Sequence, residues 1–215
     1  MKKDLTELVF ILDRSGSMAG LVEDTIGGFN SMIEKQKNEE GECLVSVVLF
    51  DNDSEVLFDR VPVKDIPELT RRQYSPRGCT ALMDAIGGAI HHIGNVHKYA
   101  REEDVPEKTV FVITTDGMEN ASRMYGADRV RAMIRHEQDK YGWEFLFLGA
   151  NIDAVETARR YGLKDGRAVR YHNDREGIKL NYEVVSETIA QVRATKSVPE
   201  GWLKDIEKDY REREI

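Results

Sequence analysis

The sequence predicts an α/β fold: a mostly parallel six-stranded sheet with one antiparallel edge strand and helices on both faces, a doubly wound three-layer sandwich. Three observations predict it. Short apolar runs alternate with stretches whose apolar residues recur every three or four positions, the strand–helix alternation of such sheets. Two of the runs are joined only by Asp51-Asn52-Asp53-Ser54, too short for a parallel crossover, so one strand must run antiparallel. Two other runs end in a carboxylate, Asp13 and Asp116, with glycine close behind at Gly16 and Gly117. Carboxyl ends of parallel strands are where doubly wound sheets present their binding residues.

The elements follow in order. Leu8-Val9-Phe10-Ile11-Leu12 is an unbroken apolar run, as expected of a strand buried on both faces, with the strand spanning roughly Glu7 to Leu12. A helix over about 21–37 has Val22, Ile26, Phe29 and Ile33 as its apolar stripe and stops at Asn38-Glu39-Glu40-Gly41. Leu44 to Phe50 is the second strand, and Glu55-Val56-Leu57-Phe58 opens the antiparallel edge strand. The segment 62–78 contains Pro62, Pro67 and Pro76 and is predicted as loop. A helix over about 81–99 turns Leu82, Ala85, Ile86, Ala89, Ile90 and Ile93 inward, with Gly87-Gly88 expected to pack closely on the sheet. Thr109 to Thr114 is the next strand, followed by a helix over about 126–141. Trp143 to Leu148, a short helix over about 154–161, a strand at 168–171 and a long helix from Asp174 complete the alternation. Ile178, Tyr182, Val185, Ile189 and Val192 form the stripe of that last helix.

One domain is expected over residues 1–195, its core about 5–172 plus the long helix. Residues 196–215 form a charged tail in which Trp202, Leu203, Ile206 and Tyr210 have helical spacing. The tail is read as a short helix packed on the domain. Hydrophobic residues at 40% and charged residues at 33% describe a soluble globular chain. The net charge of −8, without a basic block, argues against nucleic acid as partner. No run approaches membrane-spanning length, and the N-terminus does not resemble a signal peptide. Cys43 and Cys79 form neither a disulfide framework nor a zinc set, so a reduced cytoplasmic location is expected.

Asp13, Ser15 and Ser17 alternate beyond the first strand, where a tight turn at Gly16 allows their oxygens to converge. One carboxylate and two hydroxyls suit a hard cation such as Mg²⁺. The same residue types suit helix capping, and so does Thr80 at the start of its helix. Thr80 and Asp116 also fall at strand–helix junctions, which brings two carboxylates and three hydroxyls to one sheet edge.

In this pattern the chain resembles von Willebrand factor type A domains carrying a complete metal-ion-dependent adhesion site. The motif of that family is Asp-x-Ser-x-Ser, then a distant Thr, then a distant Asp. It matches at Asp13, Ser15, Ser17, Thr80 and Asp116, with Phe10 to Met18 and Ile113 to Gly117 as typical flanks. The likeness is to compact stand-alone bacterial or phage members. The resemblance implies a Rossmann-like fold and a Mg²⁺ site, with Mn²⁺ or Ca²⁺ also accepted, held by those five residues. It further implies a non-enzymatic adaptor or assembly factor whose cation takes a Glu or Asp carboxylate from a protein partner. Arg14, Met18, Met118, Glu119, Asn120, Asn151 and Asp153 flank the site and are candidates either for partner choice or for ordinary loop and capping chemistry. Cys79 is read as a small packed residue.

The alternative is a metal-dependent hydrolase using the same cation to activate water. No histidine or further carboxylate within the motif segments offers a general base for it. A nucleotide-binding role lacks both the Gly-x-Gly-x-x-Gly fingerprint and a Gly-Lys-Ser/Thr loop. A purely structural protein with a vestigial site would not need all five residues. The sequence names neither the partner nor the oligomeric state.

Overall fold

A computed structural model describes residues 1–213; Glu214 and Ile215, the end of the tail, lie outside the described residues. Six strands form one sheet in the order β3-β2-β1-β4-β5-β6. They are β1 (Lys2–Asp13), β2 (Glu42–Phe50), β3 (Ser54–Pro62), β4 (Pro106–Thr115), β5 (Glu144–Gly149) and β6 (Ala168–Arg170). All neighbours pair in parallel except β2 and β3, which form the antiparallel hairpin at one edge. The helices are α1 (Val22–Lys37), α2 (Leu82–Tyr99), α3 (Ala127–Tyr141), α4 (Ala154–Arg160), α5 (Arg175–Thr195) and α6 (Lys204–Arg213).

The alternation of side chains along β1 explains the layers. Leu8, Phe10 and Leu12 point into a core built with Phe29 of α1 and Val185 and Ile189 of α5. Val9 and Ile11 point the other way, into a second core with Ile86 and Ile90 of α2 and Val130 and Ile134 of α3. A central strand covered by helices on both faces has no polar face, which is why its sequence is an unbroken apolar run. The strand order reverses between β1 and β4, whose partners lie on opposite sides, so their carboxyl ends flank the crevice of the sheet.

Several details differ from the sequence reading. β1 begins at Lys2 and not near Glu7, because backbone pairing continues through polar residues, with a register shift between Lys2 and Thr6. α1 buries Thr25, Phe29, Met32, Ile33 and Gln36, while Val22 and Ile26 are half-buried. Its buried polar end is satisfied by α5: Gln36 donates to the Ser186 carbonyl at 2.9 Å, and Arg193 donates to the Gln36 carbonyl at 2.6 Å. The 62–78 loop is part of the core, contributing Val63, Ile66, Leu69 and Tyr74, all at most 3% exposed. Gly87 packs against the Tyr125 ring and not the sheet; a Cβ there would come within 2.4 Å of the ring. Gly88 meets open space.

The chain after α5 folds back onto the domain. Trp202 and Ile206 join the α1–α5 core, and the Trp202 indole donates to the Gly166 carbonyl at 2.8 Å. α6 rests against α5 and β6. Its Tyr210 ring stacks on His172 with centroids 4.5 Å apart, and Arg213 pairs with Asp174 at 2.6 Å. The loop between β6 and α5 is therefore held from both sides.

Candidate metal centre

Asp13 ends β1 and is 2% exposed. Its Oδ1 accepts from the Ser15 backbone N–H at 2.7 Å, a local side-chain turn that sends the chain back across the strand end. A short 3-10 turn over Gly16–Leu21 follows and brings Ser17 round beside Ser15, their Oγ atoms 3.1 Å apart. Ser17 Oγ donates to Asp116 Oδ1 at 2.6 Å. Thus residues nearly a hundred positions apart meet across the β1–β4 crevice. On its other side, Asp13 Oδ2 accepts from Thr115 Oγ1 at 2.6 Å.

Thr80 reaches the same place through a loop latched at several points. Gly16 donates to the Gly78 carbonyl at 3.2 Å and Arg77 to the Arg14 carbonyl at 2.8 Å. Cys79 donates to Asn52 Oδ1 at 3.0 Å. That contact requires glycine next door: Gly78 has φ of +66°, and a Cβ would lie 2.0 Å from Asn52 Oδ1. The Thr80 N–H donates to Asn120 Oδ1 at 2.9 Å and its carbonyl accepts from Asn120 N–H at 3.0 Å. Thr80 Oγ1 lies 3.5 Å from where a Gly117 Cβ would stand, so the hydroxyl borders the residue after Asp116.

Capping does not account for these hydroxyls. Neither Ser15, Leu21 nor Ala81, the residues that precede the 3-10 turn, α1 and α2, accepts a side-chain capping bond. The capping carboxylates lie elsewhere: Asp153 accepts from Glu156 N–H and Asp174 from Gly177 N–H.

Asp13 and Asp116 are both buried, and neither has an ion-pair partner among the described residues. Burial pushes the Asp13 carboxyl above its ordinary range; the bonds from Thr115 and Ser15 oppose this, and the neighbouring Asp116 charge adds to it. An arginine stands next to Asp13 but turns away. Arg14 is 3% exposed and donates to Asp51 Oδ2 at 2.8 Å and to Glu55 at 2.6 Å, and Arg77 donates to the same Asp51 oxygen at 3.0 Å. Burial pushes Asp51 up, but the Asp53 N–H, Arg14 and Arg77 together outweigh it and leave the carboxyl below its ordinary range.

The donor set fits a hard cation. It consists of oxygens only, three of them from neutral hydroxyls and four from carboxylates, and each retains acceptor capacity beyond the bonds described. Among the described residues no group of three or more His, Cys, Asp or Glu side chains is arranged for a metal, which leaves no softer competing set. One buried acceptor beside the cluster, Asn173 Oδ1, has no hydrogen-bond partner among the described residues. Asn173 Nδ2 donates to Asp116 Oδ2 at 2.9 Å, and Asn151, at φ +54°, donates to the Asp116 carbonyl at 3.2 Å.

Most flanking residues serve the loops, as one of the two sequence readings had it, and Cys79 departs from expectation. Arg14 and Met18 are buried and cannot face a partner. Glu119 is occupied with the N–H groups of Met83, Ala121 and Ser122. Cys79 is exposed, not packed, because its backbone is what the loop uses. Met118 is 74% exposed at the rim. Asn173 and Tyr74, whose hydroxyl donates to the Asp13 carbonyl, lie outside every motif, and Thr115 enters the motif only as a flank of Asp116.

The chain matches no protein-family model and no curated protein. Solved structures do match. Proximal thread matrix protein 1 from the mussel byssus superposes with a TM-score of 0.60 at 16% identity, over 86% of this chain and 46% of that one. A second structure of that protein has zinc in its metal-ion-dependent adhesion site, at TM-score 0.60 and 15% identity, over 86% of this chain and 46% of that one. The ArnB paralog VWA2 from Sulfolobus acidocaldarius gives 0.55 at 18% identity, over 87% and 45%. Manganese-loaded TRAP protein from Plasmodium vivax gives 0.55 at 15% identity, over 84% and 72%. The chain spans less than half the length of the first three. A six-stranded sheet of this order, flanked by helices and aligned over most of its length with these structures, is the von Willebrand factor type A fold.

Proposed function

We propose that this protein is a metal-ion-dependent protein-binding module and not an enzyme. Asp13, Ser15, Ser17, Thr80 and Asp116 hold a divalent cation, Mg²⁺ in the cell with Mn²⁺ or Ca²⁺ as substitutes. The observation that carries the reading is the joining of Asp13, Ser15, Ser17 and Asp116 at the strand-order reversal, with their hydroxyls free of capping duty. Zinc and manganese in two structures of the same fold support a divalent cation. Bound there, the cation supplies an electrophilic position that a Glu or Asp carboxylate of a protein partner completes.

The chain's own residues set up that chemistry. Two buried carboxylates without arginine or lysine partners lower the electrostatic cost of a cation. The neutral serine and threonine hydroxyls satisfy it without cancelling its charge. Ser17 is exposed and opens the site toward a partner, and Met118 offers an apolar rim contact. In this reading residues 1–195 are the binding module, and α6 in the tail that follows steadies the β6–α5 loop. An exposed free thiol at Cys79 agrees with a reducing cytoplasm. No helix among the described residues is long and apolar enough to cross a membrane.

The test pairs two assays on the wild type and Thr80→Ala. That substitution removes the hydroxyl and keeps both backbone bonds to Asn120. Capture of a partner from host lysate with Mg²⁺, lost with EDTA and lost in Thr80→Ala, is expected, with no turnover of phosphate or peptide esters. Metal-dependent turnover that vanishes in Thr80→Ala would overturn the reading in favour of a hydrolase.

A further inference from the structure

Asn173 lies between β6 and α5, outside every segment that the metal-site motif uses. Its Nδ2 donates to Asp116 Oδ2 at 2.9 Å, while Ser17 holds the other Asp116 oxygen at 2.6 Å. The orientation of the amide follows from chemistry. A carboxylate only accepts, so the NH₂ must face it and the carbonyl oxygen must face away. That oxygen is buried, and no group among the described residues donates to it. An unsatisfied buried acceptor is costly, and this one belongs to an amide bonded to a carboxylate of the metal-type cluster. The residues on either side of Asn173 are pinned. His172 stacks on Tyr210 and meets its carbonyl at 3.0 Å, and Asp174 caps α5 and pairs with Arg213. The amide is therefore presented by a braced loop.

We propose that Asn173 is a further residue of the metal site. It is a positioning residue that fixes Asp116 Oδ2, with its Oδ1 as the acceptor for a water in the cation's shell. The proposal rests on the metal-site reading above. Partners that orient metal ligands in this way typically change metal affinity by about 10–100-fold when removed.

The experiment is a calorimetric Mn²⁺ titration of the full chain as wild type, Asn173→Ala, Asn173→Asp and Asp116→Ala, with melting in EDTA alongside. Asn173→Ala is expected to weaken Mn²⁺ binding by about tenfold or more. Asn173→Asp sets a second carboxylate against Asp116. It should lower the melting temperature in EDTA through like-charge repulsion, yet bind Mn²⁺ more tightly than the wild type, by about threefold or more, because it adds a carboxylate charge beside the cation. Opposite movements in metal affinity distinguish positioning from a merely structural role, which would shift both variants the same way or only their melting. Should one variant fail to fold, the other still decides, because each has its own predicted direction against the wild type. Wild-type binding that Asp116→Ala abolishes, with the Asn173 variants within about twofold of wild type, would overturn this inference and leave the metal-site reading standing. No Mn²⁺ binding by the wild type would overturn both.

Discussion

Replacing Arg14 by Met breaks the buried ion pair that ties the site's loops together. Both partners are nearly inaccessible, with side chains 4% and 5% exposed for Arg14 and Asp51. Removing one member of such a pair leaves the other charge buried and costs about 3–5 kcal/mol. Two features place the expected loss at the lower end. Arg77 still donates to Asp51 Oδ2, and Glu55, the other carboxylate released, is half exposed and can be hydrated. A loss of about 3 kcal/mol corresponds to a fall in melting temperature of about 6–12 °C for a chain of this size. The double variant Arg14→Met/Asp51→Asn removes the stranded charge and keeps an acceptor for Asp53 N–H, so it should recover more than half of that loss. Urea and thermal unfolding of the two variants measure both numbers. A cost below about 1 kcal/mol for Arg14→Met, the range of exposed pairs, would refute the argument, as would a double variant less stable than the single.

Two further outcomes follow from the same structure. The Asp51 carboxyl is held below its ordinary 3.8, so its stabilisation is complete above that value and is lost as pH falls through the depressed folded value. The stability gap between wild type and Asp51→Asn should stay constant from about pH 7 to 5 and close between about pH 4 and 2; a gap that closes at neutral pH would contradict this. Trp202→Ala should cost about 3–5 kcal/mol, because the indole is 7% exposed and its N–H bonds the Gly166 carbonyl; an unchanged urea midpoint would show that the segment does not belong to the core.

The fold was legible because its signals are local. The unbroken run in β1 marks a strand between two helical layers, and the short Asp51–Ser54 connection forces the antiparallel hairpin. Element ends were less legible. Lys2 to Thr6 pair through backbone groups and carry no apolar pattern, and the 3-10 turn before α1 resembles the helix it precedes. Spacing brought Asp13, Ser15 and Ser17 to notice, but the residues that finish the site have no local signature. Thr115 is an ordinary strand residue until its hydroxyl is found on Asp13. Asn151 and Asn173 reach Asp116 only because β5 ends beside β4 and β6 beside β5. Arg14 reads only as a loop residue flanking the site; its partner Asp51 follows β2, the strand next to β1. Tertiary pairings of this kind cannot be read from one segment at a time.

If Asp13, Ser15, Ser17, Thr80 and Asp116 hold a divalent cation, melting with and without metal is the decisive measurement. A cation that binds only the folded state, present at about 100 times its Kd, raises stability by about 2.7 kcal/mol. For a chain of this length that is a rise of about 5–10 °C in melting temperature. The wild type should show such a rise in Mg²⁺ over EDTA, and Asp116→Ala none. Equal rises in the two proteins, or no rise in the wild type with Mg²⁺, Mn²⁺ or Ca²⁺, would contradict a cation held there.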